Sequence, residues 1–414
     1  MDNGGLSGGL RWFTAPGRVE IGGNHTDHQH GRVLAAAVDL VVTAAVVPNG
    51  SDIVRLFFDG SVGGRASFAA KAVEEARVYA EAAEERCHPE PCEETLEEEE
   101  RPPSPPVFVD MKSLQVRDEE SGTSAALVRG VAAWFAGHGY AIGGFDADIS
   151  STVPVGSGLS SSAAFEVLIG RIFKGLSGAD VSRIQLAQAG QFAENVYFGK
   201  PCGLMDQTAS SFGGLNVIDF MDPHAPVVTP VHADFAGYYM CVVDTGGSHA
   251  DLTPDYAAAP DEMKSVAAFF GKEYLREISA DELYSSIGSL RKLGDRAVLR
   301  AIHFFGENER VLKQAAALEH GSMREFLELV IESGRSSLAY LQNVFSPSFP
   351  QEQGLTIALA LSENILAGKG AWRVHGGGFA GTILAFVPEE LKDEYSSRMR
   401  EVFGEGCCHF LKIR

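Results

Sequence analysis

Pro154-Val155-Gly156-Ser157-Gly158-Leu159-Ser160-Ser161-Ser162-Ala163 decides how this chain folds. Upstream, Phe145 to Ser151 predicts a strand. Downstream, Ala164, Val167, Leu168 and Ile172 recur at helical spacing. The glycines therefore stand between a strand and a helix start. Gly156 and Gly158 let backbone approach an anion without a Cβ in the way, and the first N–H groups of the helix point at it with the helix dipole behind them. Ser160, Ser161 and Ser162 add hydroxyls for phosphate oxygens and a hard cation, and Ser157 and Leu159 complete the expected nucleotide-binding loop. No lysine follows the glycines, so this is not a Walker loop. A surface linker has a similar composition but would not run at once into an apolar helix. The stretch is thus expected to bind nucleotide phosphates.

The chain has 414 residues, 45% of them hydrophobic and 21% charged, which suits a globular protein of about two or three domains. A formal charge of -21 repels nucleic-acid backbones and anionic lipid, so neither is an expected partner. The N-terminus lacks the apolar core of a signal peptide. The most apolar run, Val33 to Val47, is interrupted by Asp39 and predicts two strands with a short connection rather than a membrane span. Six scattered cysteines, with no C-x-x-C pair, argue against a disulfide framework or zinc ribbon. The expected location is the cytoplasm.

Residues 81–106, EAAEERCHPEPCEETLEEEERPPSPP, break the composition. This acidic, proline-rich segment has too few apolar residues to offset its ordering entropy and is expected to be a disordered insertion. Further helices are predicted at Thr123 to His138 and Val181 to Phe198, and a strand at Tyr238 to Asp244. A domain boundary is expected near residue 235, giving 11–235 and 236–414.

Other segments carry chemistry. Ala15 to Gly31 holds Arg18, Asn24, His25, Asp27, His28 and His30 in a glycine-rich loop. It suits a polyhydroxylated ligand, although the His and Asp residues could instead be metal ligands. Glu194 and Asp206 are two carboxylates that could divide cation binding and proton acceptance, as phosphoryl transfer requires. Val374 to Thr382 is a glycine-rich turn suited to close backbone packing.

In this order, these segments resemble the galactokinase family of the GHMP sugar kinase superfamily. The family's GRVNLIGEHTDY corresponds to GRVEIGGNHTDH, PxGxGLSSSA is intact, CGIMDQ corresponds to CGLMDQ, and GGGFGG to GGGFAG. The resemblance implies an α+β fold of two domains: an N-terminal ribosomal-protein-S5-like domain and a C-terminal GHMP α+β domain, with the active site between them. It implies phosphorylation of galactose at C1 by ATP with Mg2+; a monomer with small-molecule sugar and ATP as its partners is expected. By the same resemblance, Asp206 is the catalytic aspartate, Arg18 its partner, and Ser162 and Glu194 the metal ligands. Asn24, His25, Asp27, Gly203 and Tyr256 would form the sugar site. Asn24 stands where the family has a glutamate at the sugar's C6 end, which admits a C6-modified galactose such as galacturonate. Ser124 and Leu127 stand where some relatives place aromatics against adenine. A non-catalytic sugar sensor is the remaining alternative.

Overall fold

The computed structural model describes residues 9–58, 106–154, 156, 158–200, 202–247 and 252–414. The acidic insertion lies outside the described residues except for Pro106, and Ser157 lies outside them too.

Seven strands form the first sheet: β1 (Arg11–Gly22), β2 (Arg32–Pro48), β3 (Ile53–Phe58), β4 (Val107–Asp110), β5 (Phe145–Ser151), β6 (Leu215–Asp219) and β7 (Val227–Pro230). Their order is β4-β3-β5-β2-β6-β7, with β1 also on β2. Only β3 and β5 pair in parallel. The Val33 to Val47 run is one strand of 17 residues rather than two, and the reason is visible at Asp39. One edge of β2 pairs with β1 along most of its length. The other edge pairs with β6 over Arg32–Ala36 and with β5 over Val42–Pro48. Asp39 falls where β6 ends and β5 has yet to begin. The C-terminal tail fills that gap, because Asp39 N donates to Lys412 O and Lys412 N to Asp39 Oδ1, each at 3.0 Å.

The second sheet contains β8 (Tyr238–Asp244), β9 (Ala371–Val374), β10 (Thr382–Pro388) and β11 (Cys408–Leu411), all antiparallel in the order β11-β8-β10-β9. The first sheet ends at Pro230 and the second starts at Tyr238. A shared apolar core joins them: Met240, Val242, Leu384 and Phe386 belong to the same buried cluster as Val19, Leu34 and Phe173. Phe173 lies 5.8 Å from Phe135 and 5.6 Å from Phe145, ring centre to ring centre. Truncating such a buried aromatic to alanine costs about 3–5 kcal/mol.

Three helices of the first half deliver functional groups. Ser161–Ser177 follows β5 directly, as the spacing predicts, and Met205–Phe212 precedes β6. Helix Arg183–Phe192 is fastened by a Ser182/Gln185 capping box and runs on into a wide π turn, Ala193–Phe198. Such turns displace one residue from the α-helical register and are frequent at functional sites. Glu194 is on this one.

Candidate active site

The site grows from the β1–β2 hairpin. A register shift between Pro16 and Arg18 re-aims Arg18. Gly17 has no Cβ to obstruct Leu159, so Arg18 N donates to Leu159 O at 3.1 Å. The Arg18 guanidinium then meets Asp206 on two points, Nε to Oδ1 at 2.8 Å and Nη2 to Oδ2 at 2.7 Å. Its Nη1 donates to Gly158 O. Asp206 lies in the first turn of Met205–Phe212, where the helix dipole favours a carboxylate, and it also accepts from Ser160 Oγ. Burial pushes its carboxyl up, but the Arg18 charge and the hydrogen bonds from Arg18 and Ser160 outweigh burial, so the net shift is below the ordinary aspartate value. The Asp206 side chain is still 30% exposed.

Ser160 begins the next helix in a left-handed conformation, φ 54°, which costs an L-residue roughly 1–2 kcal/mol. Its hydroxyl serves Asp206 and does not cap the helix, leaving the first-turn amides to another acceptor. Gly156 and Gly158 are left-handed as well, at 81° and 72°. A Cβ on Gly158 would overlap Thr382 Oγ1 from the GGGFAGT turn, so the phosphate loop lies directly against the second half of the chain. Leu159 is fully buried and contributes through its carbonyl. Ser161 is the first residue of the helix.

Ser162 Oγ lies 3.4 Å from Glu194 Oε1. Two oxygens at right angles on a magnesium ion with bonds of about 2.1 Å are about 3.0 Å apart, so this pair fits adjacent positions on such a cation. Gln207 Nε2 steadies the other oxygen of Glu194 at 2.9 Å and donates equally to Glu166 Oε2. Lys200 Nζ approaches Glu194 at 3.6 Å from a side chain that is 66% exposed. Among the described residues no three His, Cys, Asp or Glu side chains are grouped to hold a metal ion.

The sugar-loop residues converge on the GGGF turn. His25 Nε2 donates to Gly377 O at 2.9 Å. Burial, with His28 adding to it, lowers the His25 pKa to about 3, so the ring is neutral. Its proton is on Nε2, and Nδ1 is a buried acceptor without a protein partner. Tyr256 Oη donates to Gly378 O at 2.8 Å and packs edge-on against Phe379. A Cβ on Gly203 would collide with Asp27 Oδ2, which is the physical requirement for glycine there. Asp27 Oδ1 accepts from His28 N at 3.0 Å. Ser124 opens the helix Ser124–Gly137, and Leu127 is buried in its core-facing side.

Asn24 is different from the other sugar-loop residues. It is fully buried. Its amide donates to Gly376 O at 2.6 Å and Glu20 Oε1 at 3.1 Å, and it accepts from Asn343 Nδ2 at 2.8 Å and Ser337 Oγ at 3.4 Å. An amide offers two donors and two lone pairs, and here all four are occupied by protein. The C6 contact expected of Asn24 has no donor or acceptor left to make it.

Sequence reasoning passed over Glu166, Lys200, Gln207 and Arg373. Gln207 stands inside CGLMDQ and could have been chosen for its place beside Asp206. Glu166 gives no sign of burial in an otherwise apolar helix.

Known proteins match this chain in sequence and in fold. Residues 7–48 match the galactokinase galactose-binding signature and residues 126–214 the GHMP kinases N terminal domain. Galactokinase of Thermotoga petrophila is 28% identical over 94% of each chain. Galactokinase of Glaesserella parasuis is 32% identical over 60% of this chain, which spans 63% of that relative's length. The Lactococcus lactis galactokinase solved with galactose superposes with a TM-score of 0.75 at 22% identity, covering 98% of this chain and 93% of that one. The L. major mevalonate kinase solved with R-mevalonate superposes with a TM-score of 0.60 at 12% identity, covering 100% of this chain and 99% of that one. These last two establish the GHMP kinase fold. The chain carries the galactokinase galactose-binding signature and a GHMP kinases N terminal domain, and along most of its length it is similar to galactokinases.

Proposed function

We propose that this chain transfers the γ-phosphoryl group of ATP to the C1 hydroxyl of galactose, giving galactose 1-phosphate and ADP. The observation that carries the reading is the two-point Arg18–Asp206 pair beside Ser160 and next to the Ser162–Glu194 oxygens, in a chain with the galactose-binding signature. Asp206 with a lowered pKa is ionised at neutral pH. It accepts a hydrogen bond from the anomeric hydroxyl and aims the oxygen in line. So weak a base takes the proton late, which suits a loose phosphoryl-transfer transition state in which the nucleophile bonds little before the leaving group departs. Arg18 offsets negative charge at the same point. Ser162 Oγ and Glu194 would hold magnesium, which when bound neutralises charge on the β- and γ-phosphates. His25 Nδ1 accepts a sugar hydroxyl, and Asp27, placed by Gly203, takes adjacent ring hydroxyls.

The chain is divided into units 11–235, which holds both the sugar loop and the phosphate loop, and 236–414, which supplies Tyr256 and the GGGF turn. A cytoplasmic monomer is part of the same proposal; among the described residues no helix is long and apolar enough to cross a membrane. The galacturonate alternative rested on an amide facing the C6 end, and the Asn24 amide faces only protein. The sensor alternative is disfavoured by the intact Arg18–Asp206 pair. Sugar-dependent ADP release with galactose, galacturonate and glucose tests the reading. Galactose should lead in kcat/KM. No sugar-dependent ADP release would favour the sensor, and galacturonate ahead by about tenfold, or 1.4 kcal/mol of transition-state discrimination, would change the substrate.

A further inference from the structure

Beneath the sugar loop lies a buried polar cluster with no part in the mechanism above. Glu20 is on β1, and its side chain is 4% exposed. Its Oε1 accepts from Arg373 Nη2 at 2.7 Å and from Asn24 Nδ2 at 3.1 Å. Arg373, fully buried on β9, also donates to Ile21 O at 2.8 Å. The Glu20 backbone N–H donates to His375 Nε2 at 3.1 Å. One carboxylate thus joins the first sheet, the second sheet and the residue next to His25. Burial tends to push this carboxyl up to about 7, against the opposing charges of Arg373 and Arg18. A buried charge held by one guanidinium and one amide tolerates little change.

The sequence at these two positions is informative. Position 20 carries a carboxylate and position 24 an amide of similar size. The structure puts the two in direct hydrogen bond. Exchange conserves the charge and the total volume of the pocket, whereas either single change does not.

We propose that Glu20 is a positioning residue for the sugar loop, acting as the acid half of a coupled pair with Asn24, and that the two positions can be altered only together. The positioning claim rests on the galactokinase reading, because it runs through the peptide linking Asn24 to His25; the coupling claim does not. Asn24→Glu alone puts a second carboxylate against Glu20 and against Gly376 O, while the Arg373 guanidinium is already engaged by Glu20. Glu20→Asn alone leaves a fully buried guanidinium without its carboxylate.

The test is a four-member cycle of wild type, Glu20→Asn, Asn24→Glu and the double variant, read by thermal midpoint and by galactose and ATP half-saturation on the full chain. Each single variant should lower the midpoint and raise galactose half-saturation by about tenfold or more with ATP half-saturation unchanged, and the double should recover to within about threefold. If Glu20→Asn does not fold, Glu20→Gln replaces it in the cycle and should behave the same way. Additive losses in the double variant would overturn the coupling. Midpoints that couple while galactose half-saturation stays at the wild-type value in all variants would overturn the positioning role. A wild type that neither binds nor phosphorylates galactose would overturn the functional reading and the positioning claim with it, and the midpoints would still decide the coupling.

Discussion

The two halves of the site are prepared in different ways. Under the sugar loop, Asn24 has all four hydrogen-bonding positions occupied, Arg373 is fully buried against Glu20, and His25 is fixed through Gly377 O. On the phosphate side, Asp206 is 30% exposed, Lys200 66% exposed, and Ser162 Oγ donates to Glu194 Oε1 at 3.4 Å. The sugar half is pre-organised by protein partners, which reduces the ordering that binding must offset. On the proposed reading, the more exposed charged groups of the phosphate half meet a ligand that brings its own charge and metal. Substitutions in the first half should therefore act on sugar affinity and stability, and those in the second on turnover and metal dependence.

The largest effect should come from Asp206→Asn, which keeps the shape and loses the ionised carboxylate. Turnover should fall by about 10²-fold or more while nucleotide binding survives. Near wild-type turnover would remove Asp206 from the chemistry and erase the contrast. Next is Glu194→Gln. It should raise the magnesium needed for half-maximal rate by about tenfold or more with galactose half-saturation unchanged, and manganese binding in the presence of nucleotide provides a readout independent of rate.

Gly203→Ala probes the sugar half. Its Cβ would collide with Asp27 Oδ2, so galactose half-saturation should rise by several-fold, on the order of 1–2 kcal/mol of lost binding, with ATP half-saturation unaltered. An equal rise for both substrates would show that the halves are not separable. The smallest effect concerns pH. The Asp206 pKa lies below the ordinary aspartate value because Arg18 and Ser160 outweigh burial. The folded form therefore favours the ionised carboxylate, and its contribution to stability is present above the unfolded pKa and lost as pH falls through the folded one. The acid limb of kcat/KM should lie below the ordinary aspartate range. Arg18→Lys, which breaks the two-point contact, should move that limb upward. A limb that stays in place would mean that Arg18 does not set the ionisation of Asp206.

Much of this arrangement was legible in the residues. The strand–glycine loop–helix order around Gly156 and Gly158 appears as expected, because periodicity and glycine placement are local properties. The pairing of Arg18 with Asp206, 188 residues apart, came only from resemblance, since nothing local joins β1 to the start of Met205–Phe212. Asp39 suggested a break in β2, but the charge marks a change of neighbouring strand that is bridged by the C-terminal tail. Asn24 was read as a sugar contact from its neighbours, yet whether an amide faces ligand or protein depends on Glu20, Gly376, Ser337 and Asn343, three of them more than 300 residues away in the chain. Glu166 was invisible for the same reason. The roles of Ser157 and of the insertion at 81–105 concern residues outside those described.

The most direct test of the central claim is the position of the phosphate on the product. Purified chain, ATP, magnesium and galactose are incubated, and the sugar phosphate is examined by phosphorus–proton correlation. Phosphorus coupled to the anomeric proton, with loss of the reducing end, is the predicted result. Coupling to the C6 protons, or no galactose-dependent product at all, would contradict it.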